Sequence, residues 1–209
     1  MKRIIGILCM FMGITMVLSA FSLILVNRQE DLTAENHVAE IIPLIREEIS
    51  RTRQAASTEQ TIPQDIIPQE LLTAEDLIMT EKSINGYAYI GYLNIPDLNL
   101  ELPIMSGWDS RRLQISPCRF TGTLRGKDLV IMAHNYTSHF GRLSKLSEGS
   151  EIQFVDMDGN LWNYKVVAMD ILPAEAVEEM TAGEYDLTLF TCSTNRSQRI
   201  TVRCNIIES

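Results

Sequence analysis

The sequence predicts an all-β domain, a closed or nearly closed barrel, carried behind an N-terminal membrane segment. Three observations point there. Short runs rich in Val, Ile, Tyr, Phe and Thr recur from about residue 81 onward, with turn residues between them. Helical periods are few and brief in that region. Met1-Lys2-Arg3 opens onto an uninterrupted apolar run from Ile4 to Val26.

At 1.5 Å per residue that run extends about 34 Å, enough to cross a hydrocarbon core. Lys2 and Arg3 favour the cytoplasmic side, which puts the C-terminal bulk outside. A cleaved signal peptide competes with this reading. The run is long for an h-region, and Ser19-Ala20 make a weak cleavage site, so a retained anchor over 1–27 is expected. Residues 28–80 read as a stalk and linker. Val38, Ile41, Ile42, Ile45 and Ile49 fall near helical spacing and predict a short amphipathic helix, which Pro43 is expected to break or kink. Residues 54–70 are polar, hold two prolines and show no period, the pattern of a linker.

Residues 81–209 form the candidate domain. Strands are expected over 87–95, 129–133, 151–155, 161–171, 187–191 and 200–207. Asp158-Gly159-Asn160 is placed to turn a hairpin. Short helices are expected over 140–146 and 174–180.

The bulk numbers exclude several classes. A chain of 209 residues suits one modest domain with appendages. Its net charge of −9, with no Lys/Arg cluster, argues against a nucleic-acid partner. The four cysteines form no C-x-x-C, which excludes a zinc ribbon or a thioredoxin-type motif. Cys9 sits inside the apolar run and is expected to be inert. Cys118 and Cys204 remain open between a bridge and free thiols. His134 and His139 are five apart, off one helix face, and no H-E-x-x-H exists, so zinc is not expected. Asp156-Met-Asp-Gly-Asn160 echoes the opening of a calcium loop but lacks its later ligands, and is read as a turn. No cofactor and no metal are called for.

The chemistry-bearing residues stand at strand ends. Cys192 follows the strand 187–191 and precedes the polar loop 193–198, a place that holds a side chain firmly yet leaves it reachable. A thiol attacks as thiolate and needs a proton partner. His134 follows the strand 129–133 at a similar handover, while His37 lies in the stalk. Acyl transfer builds charge on an oxygen, which a fixed donor stabilises. Arg199 opens the last strand and would lie beside Cys192 if the loop closes a hairpin. Arg196, in the loop, is second choice; Arg203 has the same parity as Arg199 but lies roughly 13 Å further along. The competing readings are a buried structural cysteine and surface histidine and arginine.

Thr188-Leu-Phe-Thr-Cys192 resembles the T-L-x-T-C signature of the sortases. Leu129-Val-Ile-Met-Ala-His134-Asn135 resembles the strand that ends in their histidine, and Arg199-Ile-Thr-Val202 the arginine that opens their last core strand. Ile90-Gly-Tyr-Leu-Asn-Ile-Pro96, with Leu102-Pro-Ile104, resembles their opening strands. The resemblance covers about 120 residues, and the anchor fits it.

That resemblance implies an eight-stranded β-barrel with a few short helices. It implies a cysteine transpeptidase of Gram-positive bacteria, single-pass in the cell membrane with its catalytic domain outside. Cys192 would form a thioester with a secreted protein cleaved at a C-terminal sorting motif. His134 would move protons between leaving and entering amines, and Arg199 would hold the substrate or its oxyanion. Expected partners are sorting-motif-bearing surface proteins or pilins, and a peptidoglycan precursor or other amine acceptor. The wording is closest to class B and D members. No lid loop or second membrane segment is evident, which leans the reading to wall anchoring. Alternatives are a pilin-polymerising enzyme and, in a different class, an inactive surface barrel that only binds. An L,D-transpeptidase is disfavoured because His134 and Cys192 are 58 residues apart, not packed into one short motif.

Overall fold

The computed structural model describes residues 2–58, 78–193 and 197–207. One long helix, α1 (Lys2–Thr58), precedes nine strands: β1 (Lys82–Ile84), β2 (Tyr87–Ile95), β3 (Leu100–Met105), β4 (Cys118–Thr121), β5 (Leu129–Ala133), β6 (Glu151–Asp156), β7 (Leu161–Pro173), β8 (Leu187–Cys192) and β9 (Gln198–Ile206). Two short helices interrupt them, α2 (Ser110–Ile115) and α3 (Val177–Met180). The strands hydrogen-bond in the order β1-β2-β3-β4-β5-β8-β9-β7-β6, and β6 returns to pair with β2. Eight strands thus close a barrel, with β1 flanking β2 outside the ring.

Closure depends on a close backbone approach. β2 serves β3 along one side and β6 along the other, and its register shifts between Tyr89 and Gly91. Gly91 sits at φ +144°, and a Cβ there would meet the carbonyl oxygen of Val155 at 2.1 Å. Only glycine fits this seam. The barrel interior is apolar, filled by residues such as Ile90, Leu102, Ile131, Phe154, Leu189 and Val202, each fully buried.

The β6–β7 hairpin turns at Asp156-Met-Asp-Gly-Asn160 as expected. Asp156 accepts from the backbone amides of Asp158 (3.1 Å) and Asn160 (2.8 Å), from the Asn160 amide and from the Trp162 indole N–H (both 3.0 Å). Its carboxylate is committed to the turn. The helix expected over 140–146 shrinks to a 3-10 turn at Leu143–Lys145, and that over 174–180 to α3. The short β1, β3 and β4 and the helix α2 were not among the strands and helices expected from periodicity. β3 carries Pro103 in its middle and β1 is only three residues long, so neither presents the β-branched run that marks β5 or β8.

α1 does not break at Pro43. An interior proline costs about 3 kcal/mol, but Ile41, Ile42, Ile45 and Ile49 are all buried, each worth roughly 2 kcal/mol. Ile41, Ile45 and Ile49 pack with Tyr89, Met105, Leu113 and Met157 in a second core on the outside of the barrel. Burial by the barrel outweighs the lost hydrogen bond. Nearer the N-terminus, α1 has mean hydropathy 2.0 over its apolar window and no burial. Met16, Val17 and Leu23 are 70, 69 and 66% exposed, a surface that suits lipid and not water. Of the expected linker, residues 59–70 lie outside the described residues.

Candidate active site

Two parallel strands and one antiparallel strand bring the three candidate residues to one end of the sheet. β5 runs parallel to β8 with Val130 beside Thr188, Met132 beside Phe190 and Ala133 beside Thr191. His134 follows Ala133, so the same register sets it level with Cys192. The hydroxyl of Thr191 donates to the carbonyl of Ala133 at 2.9 Å across 58 residues of sequence and ties the two strand ends together. β9 runs antiparallel to β8 and places Arg199 directly opposite Cys192. Ser193 N–H donates to the Gln198 carbonyl at 2.8 Å and closes the hairpin.

Alternation decides which side of the wall these residues occupy. Leu187 and Leu189 point into the core, so Thr188, Phe190 and Cys192 take the outer face. Cys192 is the first residue of β8 that is not fully buried, and His134 and Arg199 are half-buried too. Phe190 belongs to a separate apolar cluster with Val130 and Met180, flanked by Phe120, Met132 and Leu172. Trp108 stacks on Phe120 with ring centroids 5.5 Å apart, and Phe120 meets Phe190 edge-on at 5.5 Å. An aromatic floor therefore leads to the thiol. Sequence reasoning missed Phe120 and Trp108; the β-parity of Phe190 relative to Cys192 was the one available signal.

Arg203 shares that face, opposite Thr188, but it is 4% exposed. It donates to the carbonyls of Met180 (3.0 Å) and Glu179 (2.5 Å), to the Thr188 hydroxyl (3.1 Å) and to Asp170 (3.2 Å). It pins α3 to the sheet and is structural. Arg196 lies outside the described residues.

The loop after His134 is built on tight backbone contacts. Phe140 N–H donates to the His134 carbonyl at 3.2 Å, and His139 and Gly141 N–H donate to the Tyr136 carbonyl at 3.0 and 2.9 Å. The Tyr136 ring lies between the rings of His134 and His139, with centroids 5.0 and 5.5 Å away. His139 is fully buried. Burial, reinforced by the charge of His134, pushes its pKa down to about 4. It is a core group, distinct in kind from the half-exposed His134.

α1 reaches this same loop. Asp31 Oδ1 accepts from the Ser138 amide at 3.0 Å and hydroxyl at 2.6 Å, and Tyr136 OH donates to Glu30 at 3.1 Å. Burial raises the Asp31 carboxyl, but hydrogen bonds from Ser138 and Thr137 outweigh it and hold the group below its usual range. Cys118 and Cys204 are buried free thiols. Burial pushes Cys118 up to about 12 and Cys204 upward as well.

A model of the Sortase domain matches residues 93–207. Among solved structures, this chain is similar to sortase C1 from Streptococcus suis, at 26% identity and TM-score 0.52, covering 58% of this chain and 74% of that one. It is similar to Streptococcus pneumoniae sortase C at 21% identity and TM-score 0.56, covering 81% and 97%. It is also similar to sortase A from Corynebacterium diphtheriae at 18% identity and TM-score 0.54, covering 87% and 94%. No curated protein matches it.

Proposed function

This chain belongs to the sortase family, and we propose that it is a membrane-anchored cysteine transpeptidase in which Cys192 is the nucleophile, His134 the proton carrier and Arg199 the electrostatic clamp. The observation that carries this reading is the placement of all three at one sheet end, with Arg199 directly across from Cys192. Cys192 attacks the scissile carbonyl of a sorting-motif peptide. The C–N bond breaks, His134 gives its proton to the leaving amine, and a thioester remains on Sγ. An entering amine loses a proton to His134, attacks the thioester and frees the thiolate. Arg199 faces the carbonyl oxygen that carries negative charge in both steps. The floor of Phe120, Met132 and Phe190 suits an apolar side chain of the donor peptide.

Residues 1–27 act as a single-pass anchor, with 81–209 as the extracytoplasmic catalytic domain. Residues 28–58 act as a strut leading to the linker. The acceptor we favour is an amine of the cell wall. The test uses the full chain in detergent micelles, a library of sorting-type peptides and an amine acceptor. Mass spectrometry should find a peptide thioester on Cys192 and an amide product. If no peptide acylates Cys192 and the folded protein's thiol resists alkylation, the barrel is a binding module instead.

A further inference from the structure

α1 is one continuous helix from the apolar run to the barrel, and contacts along its length set how the barrel is held. Near the membrane end, Glu30 and Asp31 bind Tyr136 and Ser138 of the His134 loop. Further along, His37 lies 3.0 Å from the Tyr89 hydroxyl, and Arg53 donates to the carbonyl of Gly159 at the β6–β7 hairpin tip. From Asp31 to Arg53 the helix rises roughly 33 Å. The barrel therefore lies alongside α1 with its catalytic end toward residue 26 and the β6–β7 hairpin away from it. Asp31 is only about 8 Å along the axis from the last residue of the apolar run. Headgroups occupy roughly the outer 5–8 Å on each side of the hydrocarbon core.

We propose that the 134–140 loop is a membrane-apposed surface, held by α1 at the depth of the lipid headgroups, so that the Cys192 site opens beside the bilayer. The partner of this surface is the lipid headgroup layer itself. The inference rests on the reading of residues 1–27 as an anchor, and it adds orientation and depth to it. Contacts at opposite ends of one helical strut, with Ile41, Ile45 and Ile49 packed on the barrel between them, fix a tilt that a flexible stalk would leave free. Reactants held in the bilayer then meet the thiol without leaving the membrane plane, whereas the far hairpin faces bulk water.

The experiment measures depth, with no need for turnover. The full chain carrying Cys9→Ser and Cys192→Ala receives either Asn135→Cys or Asp158→Cys, both exposed positions. Each is labelled with bimane and reconstituted into phosphatidylglycerol vesicles containing headgroup-spin-labelled phosphatidylcholine. Quenching at position 135 should exceed that at 158 several-fold. Inserting eleven helical residues after Val26 lifts the barrel by roughly 16 Å while keeping its phase, and quenching at 135 should fall to the level at 158. Equal or reversed quenching at the two positions overturns the proposal. So does quenching at 135 that survives the insertion. Either result leaves thioester formation, which is read separately, untouched.

Discussion

Cys192, the last residue of β8, stands directly across the antiparallel ladder from Arg199, the second residue of β9. The guanidinium is therefore carried by a strand, not a loop. Its position relative to the thiol is set by backbone hydrogen bonds that no side-chain substitution removes. Arg199→Ala should keep the fold and lower kcat/KM by on the order of 10²–10³-fold. Arg199→Lys should restore little, because an ammonium lacks the planar fork. Peptide acylation and circular dichroism check both parts. Wild-type turnover in Arg199→Ala would take the role away from this residue.

Thiol chemistry should be confined to one position of the barrel. Burial raises Cys118 to about 12 and raises Cys204 as well, so both stay protonated at pH 8, whereas Cys192 is reachable at its strand end. Iodoacetamide followed by peptide mapping should find Cys192 modified in the folded protein, and Cys118 and Cys204 only after denaturation. Comparable rates at Cys118 would contradict its place in the core.

His139 makes stability pH-dependent. Its pKa is about 4 in the fold against 6.5 for the free side chain. Between these values the unfolded chain binds more protons, so stability climbs with pH from about 4 to 6.5 and the contribution is complete above that. The shift corresponds to about 3 kcal/mol. His139→Phe should flatten this part of the curve in urea unfolding between pH 4.5 and 7. An unchanged slope would assign the dependence to other groups.

Gly141 guards the placement of His134. A Cβ there would sit 2.7 and 2.8 Å from the carbonyl oxygens of Tyr136 and Asn135, too close for either backbone to remain in place. Gly141→Ala should move the His134 loop and lower acylation tenfold or more, at modest cost in melting temperature. Full activity in this variant would show that the loop relaxes without shifting His134.

The C-terminal half of α1 belongs to the core. Ile45 is fully buried among barrel residues, so Ile45→Ala should cost about 2–4 kcal/mol. Ile24→Ala, on the exposed apolar surface, should leave barrel unfolding in micelles unchanged. Denaturant titration of the full chain distinguishes them.

Local pattern carried a good deal. β2 and β5 span the ranges their β-branched and aromatic runs predict, and the Asp158-Gly159 turn lies where its chemistry requires. The handover positions of His134, Cys192 and Arg199 were legible because each adjoins a clear strand. α1 resisted the same reasoning. Pro43 argues locally for a break, and the isoleucines that overrule it gain their energy from Tyr89, Met105 and Leu113, which lie far away in sequence.

Periods and turn residues, being properties of neighbours along the chain, thus pointed to the barrel class and the apolar helix and put His134, Cys192 and Arg199 at strand ends, while the motif resemblance singled them out as candidates. Tertiary structure decided what those local signals cannot encode. The parallel pairing of β5 with β8 brings positions 58 residues apart into register. Packing buries His139 while His134 stays accessible, and ties Asp31 of α1 to the loop beside the thiol. Each of these depends on which surfaces meet, and that follows from burial summed over the whole fold.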